Sequence, residues 1–209
     1  MAGAVKAIVF DYGAVFTFEW RTRKFLAEHD RALGLRPGTL FQYFFSGEAW
    51  ELVSTGKISE DEYFRRLQAG WEGPWPAGLE ELRHGGAPLE GINGRVVRLA
   101  VALRRRHKVG LLSNATISLR GLLSELGLLD LFDFVVISAE VGLRKPDPAI
   151  FHLTAIVAEV DISECLLVDD KERNTSAAMA VGMQAIRFRS AAQLQRELLA
   201  RGLLDAPVF

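Results

Sequence analysis

The sequence is poor in cysteine, in net charge and in long apolar stretches. Cys165 is the only cysteine among 209 residues, so no disulfide can form within the chain, as is usual in a reducing compartment. The net charge of -1 provides no overall field that would attract nucleic acid or anionic lipid. No apolar stretch approaches the roughly 18 residues that span a bilayer. We therefore predict a cytoplasmic protein that binds neither nucleic acid nor membrane.

Short apolar runs alternate with helical patterns along most of the chain. The runs are rich in branched side chains, as in the buried strands of parallel sheets, and they lie at 5–10, 109–112, 134–137, 165–168 and 184–188. Helical patterns follow at 117–126, 148–159, 174–181 and 191–201. This alternation predicts an α/β fold with a parallel, doubly wound (Rossmann-like) sheet.

The interval between the first two runs is far longer than one crossover helix needs. Its last part, 93–107, has an apolar face and is interpreted as the crossover helix. Most of the rest also has helical patterns, and Ser59 followed by Glu62 is a capping-box signature for a helix at 60–68. We predict an α/β core formed by residues 1–15 and 92–209, with a helical cap domain inserted at 16–91.

Polar residues follow four of the predicted strands. The carboxyl ends of parallel strands share one edge of the sheet, where doubly wound folds bind their ligands. The residues in question are Asp11 after the first strand, Ser113 and Asn114 after the second, Lys145 after the third, and Asp169 and Asp170 after the fourth.

Three of these residues are carboxylates. Two unit charges 4 Å apart repel by about 4 kcal/mol at an effective dielectric constant of 20, so Asp11, Asp169 and Asp170 favour a bound cation or a protonated acid. Mg²⁺ prefers a few hard oxygen ligands of this type and shares phosphate oxygens with its substrate. Taken singly, Asp11 also fits a turn and the acidic pair a helix N-terminus.

These residues also suit nucleophilic attack on phosphorus. A carboxylate can form an aspartyl-phosphate, which requires donors around the phosphoryl group. Ser113 can supply a hydroxyl, Asn114 an amide or backbone N–H, and Lys145 an ammonium group.

The chain resembles the haloacid dehalogenase superfamily of phosphohydrolases. The resemblance is carried by four segments in order: 10–15 around Asp11, 111–114, 142–146 with Phe151, and 168–170 with Asn174. The inserted segment is similar to the small helical cap of a subgroup that includes bacterial sugar-phosphate phosphatases and the phosphatase domain of soluble epoxide hydrolase.

The resemblance implies a Mg²⁺-dependent phosphatase that acts on a small phosphorylated metabolite, for instance a sugar phosphate, as a monomer or homodimer. Asp11 would be the nucleophile and a metal ligand, Lys145 would neutralise it, and Ser113 and Asn114 would bind the phosphoryl oxygens. The Gly13 carbonyl and Asp170 would bind the metal directly, with Asp169 nearby or reaching it through water. Asn174 would brace this loop.

One position departs from the family pattern. Most phosphatases of this superfamily carry a general acid/base aspartate two residues after the nucleophile, where this chain has Gly13. Three interpretations follow. The leaving group needs little help from a proton donor, or another group supplies the proton. In the third, catalysis has been lost and the protein only binds a phosphorylated ligand. A 2-haloacid dehalogenase, which also lacks that aspartate, is the alternative enzyme, although it lacks the paired acids too.

Overall fold

A parallel five-stranded sheet forms the centre of the protein. The computed structural model describes residues 4–82 and 91–209. The strands are β1 (Ala7–Phe10), β2 (Lys108–Ser113), β3 (Phe134–Ile137), β4 (Cys165–Asp169) and β5 (Gln184–Arg187), in the order β3-β2-β1-β4-β5. All four strand pairs are parallel, which confirms the predicted α/β class.

A run of short helices separates β1 from β2. These helices are α1 (Trp20–Ala32), α2 (Thr39–Phe45), α3 (Gly47–Val53) and α4 (Glu60–Gly70), followed by a 3₁₀ turn at Leu79–Leu82. We call residues 20–82 the helical segment. Its apolar side chains, among them Leu26, Phe44 and Phe64, form a cluster of their own. Residues 83–90, part of the predicted cap domain, lie outside the described residues.

The start of α4 follows from its sequence. Ser59 lies at the helix N-cap, and its Oγ accepts a hydrogen bond from the Glu62 N–H at 3.1 Å, which is one half of the predicted capping box. The Glu62 carboxylate forms ion pairs with Arg65 and Arg66 one turn further on. The helix begins at Glu60 as predicted and ends two residues beyond the predicted limit.

Further helices cover both faces of the sheet. The elements that follow are α5 (Gly94–Leu103), α6 (Leu119–Glu125), α7 (Ser138–Val141), α8 (Pro148–Ala158), α9 (Glu172–Ala180) and α10 (Ala191–Ala200). Alternation along β1 divides the core: Ile8 and Phe10 pack with α5, α6 and α10, whereas Ala7 and Val9 pack with α8 and α9. Burial on both faces explains why the strands are continuous apolar runs.

The chain leaves β1 and approaches α5 along neighbouring paths. The Phe18 N–H donates to the Gly91 carbonyl at 3.0 Å, and the Asn93 N–H donates to the Phe16 carbonyl at 2.8 Å. The helical segment also contacts the remainder through Ser118 Oγ, which donates to Glu60 Oε1 at 2.7 Å. Among residues 4–82 and 91–209, no helix is long and apolar enough to cross a membrane.

Candidate active site

The ends of β1, β2 and β4 form the centre of the site. β1 pairs with β2 on one side and β4 on the other, so Asp11, Ser113 and Asp169 lie at neighbouring strand ends. The segment that follows α7 brings Lys145 to the same place. The structure therefore brings the sequence-predicted residues together at one edge of the sheet.

Lys145 is a buried cation between two carboxylates. Its Nζ lies 3.0 Å from Asp11 Oδ1 and 2.6 Å from Asp169 Oδ2, and it donates to the Leu112 carbonyl at 2.8 Å. Burial by itself lowers the pKa of Lys145, but the charges of Asp11 and Asp169 outweigh burial and raise this pKa above its ordinary value. The ammonium group therefore stays charged at neutral pH.

The side chain of Asn114 holds the backbone of Lys145. Asn114 Nδ2 donates to the Lys145 carbonyl at 2.8 Å, and Asn114 Oδ1 accepts from the Lys145 N–H at 2.8 Å. Both ends of the amide are used in this pair, which fixes the loop after α7 to the end of β2. Sequence reasoning did not anticipate this contact.

Asp169 is surrounded by donors. Its Oδ1 accepts from the Lys171 N–H at 2.9 Å and from Asn174 Nδ2 at 2.9 Å, while Oδ2 accepts from Lys145. Burial by itself raises the pKa of Asp169. The charge of Lys145 and these hydrogen bonds outweigh burial and lower this pKa below its ordinary value. This contact connects Asn174 of α9 to the last residue of β4.

The pKa values of Asp11 and Asp170 are raised, in contrast to that of Asp169. Carboxylate oxygens of Asp11, Asp169 and Asp170 lie within 4.8 Å of one another. Burial raises the pKa of Asp11 to about 7 against the opposing charge of Lys145, and burial also raises the pKa of Asp170. Asp170 Oδ1 is buried without a hydrogen-bond partner among the described residues. An unpartnered carboxylate oxygen beside two further acids is a donor set that fits Mg²⁺.

Gly13 and Ser113 complete the group nearest Asp11. Both line the same cleft, and Ser113 is buried at the last position of β2. A Cβ atom added to Gly13 would meet no heavy atom within 4 Å. This position near Asp11 therefore has room for a side chain that the chain does not supply.

A cleft of about 570 Å³ opens from these residues toward the helical segment. Its lining includes Phe41, Phe45 and Trp50, together with Arg23, Arg144 and Lys171, none of which we predicted. The side chains that sequence position alone predicts at the entrance are those that directly follow the Asp11 loop, namely Phe16, Phe18, Glu19 and Trp20. Glu19 does line the cleft, but Phe16 is buried against Phe10 and Phe132, and Trp20 is 57% exposed.

The chain is similar in sequence to proteins named as phosphatases. The chain is 29% identical over 196 residues to sesquiterpene phosphatase astK of Aspergillus oryzae, covering 90% of this chain and 92% of that protein. It is 37% identical over 86 residues to fructose-1-phosphate phosphatase YqaB of Escherichia coli, covering 41% of this chain and 45% of that protein. The chain spans less than half the length of several relatives, and only 13% of one.

Solved structures share the fold. A haloacid dehalogenase family enzyme of Bacteroides thetaiotaomicron, in complex with magnesium and inorganic phosphate, superposes with a TM-score of 0.69 at 19% identity over 89% of this chain and 95% of that one. The family model "haloacid dehalogenase-like hydrolase" matches residues 20–182. With this match and its phosphatase relatives, the chain belongs to the haloacid dehalogenase-like hydrolase family.

Proposed function

We propose that the protein is a Mg²⁺-dependent phosphatase that hydrolyses a phosphomonoester through an aspartyl-phosphate on Asp11. The observation that carries the proposal is the arrangement of Asp11, which lies 3.0 Å from the buried Lys145 ammonium and beside the unpartnered oxygen of Asp170. A nucleophilic carboxylate, a fixed cation and a metal-ligand oxygen at one point are what phosphoryl transfer requires.

Each residue has a defined part in this mechanism. A carboxylate oxygen of Asp11 attacks phosphorus as the bond to the leaving-group oxygen breaks, and water then cleaves the acyl phosphate to restore Asp11. Ser113 Oγ–H and the backbone N–H of Asn114 donate to the phosphoryl oxygens, because the Asn114 amide is already bound to Lys145. Lys145 keeps its proton and balances the charge on Asp11 and the phosphoryl group.

The acids at the strand ends would hold the metal. Asp11, Asp170 and the Gly13 carbonyl would hold Mg²⁺, with Asp169 keeping Lys145 and the loop after β4 in position. Bound Mg²⁺ supplies positive charge that offsets the crowded carboxylates and the phosphoryl oxygens.

The same acids argue against a dehalogenase. A 2-haloacid is itself an anion, and Asp169 and Asp170 would place two further negative charges beside Asp11 without any use for them. The names of two relatives, a sesquiterpene phosphatase and a fructose-1-phosphate phosphatase, support phosphate as the common group. Their organic groups differ, so the relatives do not select one for this chain.

We further propose that residues 16–91 act as a cap over a core formed by 1–15 and 92–209. In support, the helical segment contributes Arg23, Phe41 and Trp50 to the cleft. The proposed reacting groups, such as Asp11 and Ser113, lie instead at the strand ends of the sheet. A cap of this kind would exclude water from the phosphoryl group and select the leaving group.

The direct test is hydrolysis of p-nitrophenyl phosphate with Mg²⁺, with excess EDTA, and by the Asp11→Asn variant. We expect EDTA to abolish turnover and Asp11→Asn to lower kcat by at least about a thousandfold, because the nucleophile is lost. Asp130→Asn, at an exposed aspartate on the 3₁₀ turn after α6, is the matched control and should leave kcat unchanged. Metal-independent turnover, or full activity of Asp11→Asn, would refute the mechanism.

A further inference from the structure

We propose that the substrate carries a bulky apolar organic group, which lies against three aromatic side chains in the cleft; this inference rests on the phosphatase function proposed above. The side chains are Phe41 and Phe45 of α2 and Trp50 of α3, and we call them the aromatic wall. A phosphoryl group at Asp11 would direct the rest of the substrate into the same cleft.

The aromatic wall is a continuous surface. The Phe41 and Phe45 ring centroids are 5.0 Å apart, and those of Phe45 and Trp50 are 5.3 Å apart. All three rings are half-buried, since they pack against the cluster of the helical segment and also line the cleft. The Arg23 guanidinium lies over Phe41 at 3.6 Å from the ring centroid and covers one face of that ring.

Aliphatic side chains line the cleft as well. Leu119 and Leu122 of α6, with Ala115 before that helix, line it. The cleft volume of about 570 Å³ lies within the range of about 300–1,000 Å³ that small-molecule pockets occupy. The phosphoryl site at the strand ends therefore continues into a space lined by aromatic and aliphatic side chains together with polar ones, among them Thr116, Glu125 and Arg173.

Several polar side chains of the cleft already have protein partners. Ser118 Oγ donates to Glu60 and lies 3.2 Å from Thr116 Oγ1, and Arg23 pairs with Glu19 at 2.6 Å. A hydroxyl-rich group such as a sugar would lose hydrogen bonds to water against these surfaces, and burying an uncompensated hydroxyl is unfavourable. The aromatic wall and the aliphatic side chains of α6 therefore favour an apolar group over the sugar phosphate that the family resemblance implies.

The inference is tested by the binding of non-hydrolysable ethyl-, butyl-, hexyl- and octylphosphonate to the wild-type protein with Mg²⁺, measured by calorimetry. We expect Kd to fall about two- to fourfold for each added methylene group, because each leaves water for the cleft. A phosphonate of equal length that ends in a hydroxyl should bind more weakly than its alkyl counterpart. A Kd that is independent of chain length would overturn the inference.

Two matched tryptophan variants test where in the cleft the alkyl chain binds. Trp50→Gln should weaken octylphosphonate binding at least about tenfold and change ethylphosphonate binding less than twofold, because only the longer chain reaches the aromatic wall. Trp71→Gln is the control: Trp71 is also half-buried in the helical segment, where it packs on Tyr43 and Trp75. Equal effects of both variants on the octyl compound would contradict the proposed position of the chain.

Binding and turnover separate this inference from the function on which it rests. If phosphonate binding depends on chain length but no phosphomonoester is hydrolysed in an Asp11-dependent way, the phosphatase function is refuted. The inference of an apolar phosphorylated ligand then still holds. Asp11-dependent hydrolysis with equal Kd values along the series would refute the apolar group and leave the phosphatase.

Discussion

At the scale of single residues, Gly13 is the position where the site differs most from the family pattern. Its φ of -63° and ψ of 135° are ordinary for any L-residue, and a Cβ would find open space. Neither backbone conformation nor crowding therefore requires glycine there. The consequence is chemical, since glycine cannot pass a proton to the leaving group.

Installing a carboxyl group at this position tests that consequence. We expect Gly13→Asp to raise hydrolysis of alkyl phosphates by about 10- to 100-fold, because a strongly basic leaving group needs a proton and general acid help contributes about 10²–10⁴. Hydrolysis of p-nitrophenyl phosphate should change less than about threefold, because its leaving group is weakly basic. Steady-state kinetics on both substrates measures the difference.

Gly13→Asn is the matched control, because it has a similar shape and no transferable proton. Equal gains for the aspartate and asparagine variants would show that the effect is steric or electrostatic and would contradict the proton-transfer explanation.

The position of most site residues could be predicted because they lie at or directly after the end of a short apolar run. Asp11 directly follows β1, and Ser113 and Asp169 are the last residues of β2 and β4, both of which pair with β1. The contact of Asn114 with the Lys145 backbone could not be predicted, because it depends on the separation of two loops 31 positions apart. Apolar periodicity carries no information about such a distance.

At the scale of elements, the lack of a side chain at Gly110 of β2 leaves room for the Phe134 ring of β3. Gly110 pairs with Phe134, and a Cβ atom at Gly110 would lie 2.2 Å from the Phe134 ring. The ring occupies the space that a side chain at this central strand would need. The contact joins two neighbouring strands of the sheet that holds the site.

Gly110→Ala should therefore destabilise the protein. We expect a loss of about 1–3 kcal/mol in the free energy of unfolding, because the added methyl group forces Phe134 or the strand to move. Gly121→Ala is the control, since Gly121 lies in α6 with no heavy atom within 4 Å of a built Cβ. That change should be neutral or stabilise by up to about 1 kcal/mol. Urea unfolding of both variants measures the difference, and equal stabilities would contradict the packing argument.

The elements of the sheet and its flanking helices were predicted closely, whereas the arrangement of the helical segment was not. Helix α8 begins at Pro148 as predicted, with Asp147 accepting from the Ala149 N–H at 2.8 Å, so local chemistry marks its start. The four residues of α7 are too few to show a helical period, and this helix was missed. The aromatic wall arises from the packing of α2 against α3, which sequence periodicity does not specify.

At the scale of the whole molecule, protonation of Asp11 is coupled to folding stability. Burial raises the pKa of Asp11 to about 7, so the metal-free folded protein holds a proton there that the unfolded chain releases near its ordinary value of 3.8. Between those values the folded state binds more protons. The contribution of Asp11 to metal-free stability therefore falls as pH rises from about 4 to about 7.

Magnesium should counteract this loss, and its effect should grow with pH. At a hundredfold excess over Kd, Mg²⁺ should stabilise the fold by about 2.7 kcal/mol at pH 8, or about 5–10 °C in Tm. At pH 5 the increment should be much smaller, because the metal must displace the proton on Asp11. Thermal unfolding at both pH values, with and without Mg²⁺, measures it.

Asp170→Asn provides the control, because it removes one proposed ligand and should abolish the increment at pH 8. An increment of equal size at pH 5 and pH 8 would show that metal binding does not compete with the proton on Asp11.

The aromatic wall and the catalytic groups come from separate stretches of the chain. Phe41, Phe45 and Trp50 precede β2, whereas the groups around Lys145 come from strand ends and the loop after α7. A substitution at position 45 or 50 therefore leaves every hydrogen bond of Lys145 in place. Under the proposed function, mutations in two adjacent helices would exchange one organic substrate for another during divergence, while the proposed reaction at Asp11 would be inherited unaltered.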